Sequence, residues 1–350
     1  ISQFGTPIVQ LAINTATGDY TVTQLAPIVH SAGSDENNAP FTFGYRVTDA
    51  DGDNAFGSLS VSFDDDTPTV TVSGSAPVLS VDETNFTVND SDDFSGLFSQ
   101  SFGADGPAAA NSVSYTLGVV AGPSGLIDTL TGEAVNLVLN GTTVEGRTAT
   151  GNLLVFTLTV NTSGTVTLDQ SRAVIHDPNL GANGVETIAA SLITLTKTVT
   201  DGDGDSASAT ANIGDRLNFV DDAPTALTAT TSGTVDEDGL TGGIAGGTGD
   251  VAGEAVSATG SVTGLFSAGG DSRLTYSLSN TTAGLPALTS GGVALNYTVV
   301  GNVLTASAGA TPVFTLSLNA TTGAWTFTLL AKLDHPAGNN ENDITLQFGG

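Results

Sequence analysis

The chain repeats itself, and a repeat constrains a fold more tightly than local propensity does, because every copy must solve the same packing problem. "DADGD" at 49–53 returns as "DGDGD" at 201–205, "FDDDTPT" at 63–69 as "FVDDAPT" at 219–225, and "VDET" at 81–84 as "VDED" at 235–238; the offsets are 152, 156 and 154 residues. "GLFS" at 96–99 returns at 264–267, an offset of 168, which places an insertion in the third copy, within "GLTGGIAGGTGDVAGE". Glycine-rich insertions belong in exposed loops. The period divides the chain into 1–66, the C-terminal part of one repeat; 67–222, a complete repeat; and 223–350, a third repeat lacking its C-terminal strands. The chain opens at Ile1 with no signal sequence and stops in "DITLQFGG", inside a strand-like pattern, so a segment of a longer protein is expected.

Inside the repeat the pattern is that of strands. "IVQLAINTATGDYTV" (8–22), "VFTLTVNTSGTVTL" (155–168) and "VFTLSLNATTGAWTF" (313–327) each read as strand, Asn/Thr/Gly turn, strand, the signal of a β-hairpin. No long helical periodicity is present, β-branched residues are abundant, and 44 glycines supply tight turns. The predicted class is all-β, as tandem β-sandwich repeats; each repeat is long for a minimal immunoglobulin-like sandwich and suits a decorated one. Trp325, Phe327 and Leu329 alternate with Ala324, Thr326 and Thr328. Tyr20 and Val22, and Val166 and Leu168, hold the matching positions, and the aliphatic replacements favour a core face over a sugar-binding platform.

Charge narrows the function. Asp and Glu number 36 against 7 Lys and Arg, a formal charge of −29, which repels nucleic acid and anionic membranes. Only 12% of residues are charged, so the acid is concentrated in a few clusters on a largely neutral Thr/Ser/Asn/Gly surface. Two carboxylates roughly 4 Å apart repel by about 4 kcal/mol at an effective dielectric of about 20. Several such pairs would erode a stability of about 5–15 kcal/mol. A hard divalent cation is the simplest remedy, and calcium (Ca2+), with six to eight oxygen ligands, suits it. Cysteine is absent, so disulfides and thiolate chemistry are excluded, and no apolar stretch is long enough to span a membrane.

Three acidic motifs supply candidate metal ligands. The first is Asp49, Asp51 and Asp53, matched by Asp201, Asp203 and Asp205. Alternating aspartates in a glycine-containing turn can aim oxygens at one point; a solvated hairpin turn is the plain alternative. An EF-hand is excluded, since its sixth position would be Asn54 or Ser206 in place of Gly and its twelfth Ser60 or Asn212 in place of Glu. The second is Asp64, Asp65 and Asp66 before Pro68, matched by Asp221 and Asp222 before Pro224, at the joins between repeats. Proline ends the preceding ladder and stiffens the link. The third is Asp82 and Glu83, matched by Asp236, Glu237 and Asp238, where edge-strand acidity is the alternative. The combined expectation is that the linker aspartates, the "DxDGD" turn before them and the "VDE" segment after them meet at one junction and share ions. His30, His176 and His335 recur at matching positions, which predicts a structural hydrogen-bonding role. Zinc would need further N or S ligands, and no second histidine lies near any of them.

"VTDADGD" and "VTDGDGD", "DDTPT" and "DDAPT", "VDE", and "LDHP" at 333–336 together resemble the extender repeats, of roughly 150 residues, of giant type I secreted RTX adhesins. Cadherin-like and VCBS-like calcium-binding bacterial repeats share part of this set. The resemblance covers nearly the whole chain. It implies immunoglobulin-like or cadherin-like sandwiches joined by acidic Pro-containing linkers, calcium as the bound ion, neighbouring repeats as partners, and a place outside the cell, at the bacterial surface. There such repeats hold a distal adhesive tip away from the cell, in adhesion and biofilm formation. No catalytic motif is present: neither a "GxSxG" elbow nor a phosphate-binding loop occurs, and the carboxylate pairs lie in turns and linkers. Two other roles stay open, a filament, matrix or surface layer assembled from copies of the chain, and repeats that themselves bind glycan through loops such as 239–253.

Overall fold

A computed structural model describes residues 1–31, 37–178, 181–247, 253–337 and 343–348. Its regular structure is strands, joined by turns and a few three-residue 3-10 segments, so the chain is all-β and of sandwich type. It divides into two units, Ile1–Asp222 and Ala223–Gly350.

The first unit carries two separate cores. Ile8, Val9, Ile28 and Phe63 close the smaller one, over the hairpins Val9–Ile13 with Tyr20–Gln24 and Ala39–Thr48 with Asn54–Phe63. The larger core takes residues from Leu79 to Phe219. One wall of it is a six-stranded sheet in the order Gly122–Ile127, Ala134–Asn140, Thr143–Thr148, Leu154–Val160, Thr165–Gln170, Asp90–Asp93. Facing residues come from the sheet Val113–Val119, Ile193–Thr200, Ser206–Asn212 and from the parallel pair Leu79–Asp82 with Leu217–Val220.

Period-two alternation explains which side is dry. Ile193, Leu195 and Val199 point into the core while Thr196, Thr198 and Thr200 point out, where they meet Thr210, Ser208 and Ser206 at 2.8 Å each. Such hydroxyl pairs leave the outer face polar without charge. Two of the scarce cations are committed inside the unit. Lys197 lies over the rings of Tyr115 and Phe98, at 5.4 and 6.0 Å from their centroids, and Arg172 grips Asp128 with a fork at 2.7 and 2.9 Å.

All three predicted hairpins are in place. In each turn an asparagine Oδ1 accepts backbone N–H groups: Asn14 from Ala16, Asn161 from Ser163 and Thr165, Asn319 from Thr321 and Thr322. Trp325, Leu329, Val166 and Leu168 are buried as expected of a core face, but Tyr20 is 56% exposed. Among the described residues the small core has no layer over that position. The second unit repeats the larger sheet as Ser257–Ser261, Ala324–Leu329, Thr311–Leu318, Val303–Ala308, Val293–Val300, Thr289–Ser290, packed on Phe314, Trp325 and their neighbours. Of the glycine-rich insertion, 248–252 lie outside the described residues. Among the described residues no helix is long and apolar enough to cross a membrane.

Phe156 shows how tightly the larger core is fitted. It is fully buried against Phe219, ring centroids 5.1 Å apart, and a Cβ added at Gly146 would fall 2.1 Å from its ring. Phe156→Ala is expected to cost about 3–5 kcal/mol, read as a lowered denaturant midpoint; a midpoint within error of the parent protein's would contradict this packing.

Candidate metal centre

The two "DxDGD" turns are built identically. The first aspartate closes each loop: Asp49 N–H donates to the Asp53 carbonyl and Asp201 N–H to that of Asp205, both at 3.0 Å. Its Oδ1 then accepts from the glycine and last aspartate N–H groups, at 3.0 and 2.7 Å for Asp49 and at 3.1 and 2.8 Å for Asp201. Gly52 and Gly204 hold φ of 103° and 106°, which an L side chain rarely adopts.

Their surroundings differ completely. Asp49, Asp51 and Asp53 gather their oxygens in the open, and hydrogen bonding from Asp51 and Asp53 holds Asp49 below its ordinary range. Asp201, Asp203 and Asp205 are 0, 7 and 3% exposed. Burial, with Asp203 beside it, pushes the Asp201 carboxyl up to about 6.

What covers the second turn is the linker ahead of its repeat. Asp65 is 7% exposed, and one of its oxygens lies within 4.8 Å of ligand atoms of Asp203 and His30. Asp65, Asp66 and Asp105 form a second group meeting the same distance limit. Two glycines allow the approach. A Cβ on Gly103 would fall 2.1 Å from Asp66 Oδ2, which accepts the Ala104 N–H at 2.7 Å, and a Cβ on Gly202 would fall 2.6 Å from the Asp105 carbonyl oxygen. Burial, then the charges of Asp203, Asp66 and Asp65, raise the Asp105 carboxyl. Oδ2 of Asp65, Oδ2 of Asp201 and both carboxylate oxygens of Asp203 are buried with no hydrogen-bond partner. Among the described residues no Lys or Arg pairs with Asp65, Asp66, Asp105, Asp201 or Asp203. A buried, unpartnered carboxylate is costly. The donor set, several carboxylate oxygens and a nearby carbonyl, fits a hard cation such as Ca2+.

The other predicted residues divide between separate duties. Asp64 is exposed. Asp82 Oδ1 caps the Thr84 N–H at 2.8 Å and Asp236 Oδ1 the Asp238 N–H at 2.9 Å, both closing local turns. Glu83 is a clasp: its Oε1 accepts from Gln170 Nε2 at 2.9 Å and from Val174 N–H at 2.8 Å. Glu237 does the same with Leu333 N–H at 2.6 Å, and His335 Nε2 lies 3.2 Å from the same oxygen. Glu83, His176 and Asp221 gather within 4.8 Å, and Asp222, 9% exposed, follows.

The single-junction expectation is therefore corrected. A "DxDGD" turn meets the linker ahead of its own repeat, and the "VDE" glutamate meets the linker that follows its own repeat. Strand length is the reason. The strands Ala39–Thr48 and Asn54–Phe63 put the turn and the following linker at opposite ends of a ten-residue hairpin, about 33 Å apart. The parallel pairing of Leu79–Asp82 with Leu217–Val220 brings Glu83 beside Asp221. Asp105, His30 and His176 belong to these clusters and escaped sequence reasoning as ligands. The recurrence of the histidines was the available signal; Asp105, in "FGADGP", had none.

Residues 78–214, which overlap the larger core's span, match the family described as a domain of unknown function (DUF5801). No curated protein matches the chain. No solved structure matches it either.

The Asp201 carboxyl has a folded pKa above its ordinary 3.8, so folding takes up protons between that value and about 6. Metal-free protein should thus lose stability as pH rises through that window, the reverse of a salt-bridged aspartate. Thermal melting in EDTA across it checks this, and a melting temperature that climbs instead would refute it. Asp105→Asn removes one repelling charge: it should raise the EDTA melting temperature and shrink the rise produced by calcium. A calcium response of unchanged size would take Asp105 out of the site.

Proposed function

We propose that this chain is a calcium-stiffened extender region of a large secreted bacterial surface adhesin, whose repeats project a distal binding tip. The observation that carries the reading is the seam in Ile1–Asp222. Asp65 and Asp66 of the linker meet Asp105 and Asp203 of the following core, with buried oxygens that no described Lys or Arg pairs with. An ion held there ties linker, loop and turn together, and so ties the small core to the large one. The acidic groups sit in turns and a linker, and a surface hollow lined by Val72, Ala76, Leu97 and Arg216 includes none of them.

The thermodynamics suit an extracellular site. Free calcium at about 10–100 times the dissociation constant stabilises by roughly 1.4–2.7 kcal/mol per ion. Extracellular modules work with constants of about 0.1–1 mM. Such a chain stays pliable where calcium is scarce and stiffens where it is plentiful. The resemblance of the repeat motifs to RTX adhesin extenders supports the same role, and the neutral Thr/Ser faces suit a surface that is a spacer.

The chain has no cysteine, so Thr21→Cys and Thr142→Cys, both exposed and one in each core's span, accept spin labels uniquely. Their distance distribution should be narrow in calcium and broaden in EDTA. Identical distributions in the two conditions would dispose of the stiffening role. A glycan array on the same protein should be blank; specific sugar binding would replace the spacer reading with a receptor one.

A further inference from the structure

The seam holds a ligand that calcium chemistry does not use. The His30 side chain is 3% exposed, and both of its ring nitrogens are buried without a hydrogen bond. Nδ1 lies 2.5 Å from Asp65 Oδ1 but lacks hydrogen-bond geometry. Asp203, whose two carboxylate oxygens are unpartnered, completes a group of three within 4.8 Å. An imidazole with no hydrogen bond at either nitrogen, set against two buried carboxylates, is placed as a ligand would be.

The next copy shows the same pair with its orientation explained. His176 Nε2 lies 3.1 Å from the Phe219 carbonyl oxygen. A carbonyl only accepts, so Nε2 carries the proton, and the Nδ1 lone pair of the neutral ring faces Asp221 Oδ1 at 3.4 Å. Two electron-rich atoms at that distance need a proton or a cation between them. Histidine ligands of metals characteristically donate their other N–H to a carbonyl or carboxylate in this way. Tetrahedral zinc, with bonds of about 2.0–2.2 Å, sets neighbouring ligand atoms about 3.4 Å apart. Glu83 brings a carboxylate oxygen to this group as Asp203 does to the first.

Imidazole suits zinc and its neighbours, whereas calcium takes oxygen. The sequence pointed away from zinc because no second histidine stands near the first. The fold supplies the missing ligands as carboxylates from remote segments, which zinc accepts. We infer that His30, Asp65 and Asp203, and in the next copy His176, Asp221 and Glu83, each form a site for a divalent transition metal of zinc type, separate from the oxygen-only group Asp65–Asp66–Asp105. The inference rests on the proposed seam in one respect, since Asp65 serves both groups. The product is a seam that reads two metals, calcium through oxygens alone and a zinc-like ion through the histidine.

The test uses the full chain, stripped of metal, saturated with calcium and titrated with zinc by calorimetry. One zinc is expected at each histidine site, and His30→Asn and His176→Asn should each remove one. No zinc uptake by the calcium-saturated chain, or uptake unaltered in both variants, overturns the inference. Long-range proton–nitrogen NMR of the unmutated protein covers the case in which a variant fails to fold, because the chain has only three histidines to assign. With zinc, the His30 and His176 rings should each keep one N–H and show a metal shift on one nitrogen. Rings protonated on both nitrogens, or unmoved by zinc, would mean plain ion pairs and would also overturn it. Spin-label distances keep the two readings apart: a calcium response without zinc uptake removes this inference alone, and zinc uptake without a calcium response removes the stiffening role alone.

Discussion

Buried like charge is the constraint on which the rest of this structure depends. Asp65, Asp201, Asp203 and Asp205 are each more than nine-tenths buried, in a protein with only 7 Lys and Arg, of which Arg172 is engaged with Asp128 and Lys197 over two aromatic rings. An isolated pair of such carboxylates a few ångströms apart costs several kcal/mol at realistic dielectric, a large share of any domain's stability. A fold can tolerate that cost only where something else balances it. In the proposed reading the balance is an ion, so the seam is strong when the ion is present and weak when it is absent. The mechanical behaviour follows from that one dependence.

The same motif meets two fates, and the contrast isolates the cause. Asp49–Asp51–Asp53 and Asp201–Asp203–Asp205 share loop hydrogen bonds and a glycine in the left-handed region, so the five residues carry the turn by themselves. Only the second is buried, because only it has a linker and the loop 102–107 packed on it; Pro107 even bridges to Asp201. Local sequence makes the turn, and neighbouring segments make the site. The glutamate of "VDE" illustrates the reverse. Glu83 and Glu237 hold the backbone N–H two residues before His176 and His335, so this residue works as a clasp inside its own repeat.

Much of this was legible from residues alone. Alternation and Asn/Gly turns marked the hairpins, the repeat marked corresponding segments, and clustered aspartates marked candidate ligands. Pairing of the clusters was not legible, because it depends on which end of a long hairpin faces which linker. Hairpin register decides this, and no motif encodes it. Asp105 was missed because a lone aspartate in a turn looks like any other, and zinc was set aside at His30 because no second histidine lies near it, while the carboxylates that meet it are 35 and 173 residues away in the chain. Tyr20 shows the converse error, a position that matches core residues in two other hairpins but stands exposed here.

Anomalous diffraction from crystals grown in calcium tests the central claim most directly. The account predicts a peak bounded by carboxylate oxygens of Asp65, Asp66 and Asp105, at calcium–oxygen distances of about 2.3–2.6 Å. Carboxylates turned outward into ordered water, with no ion among them, would contradict it.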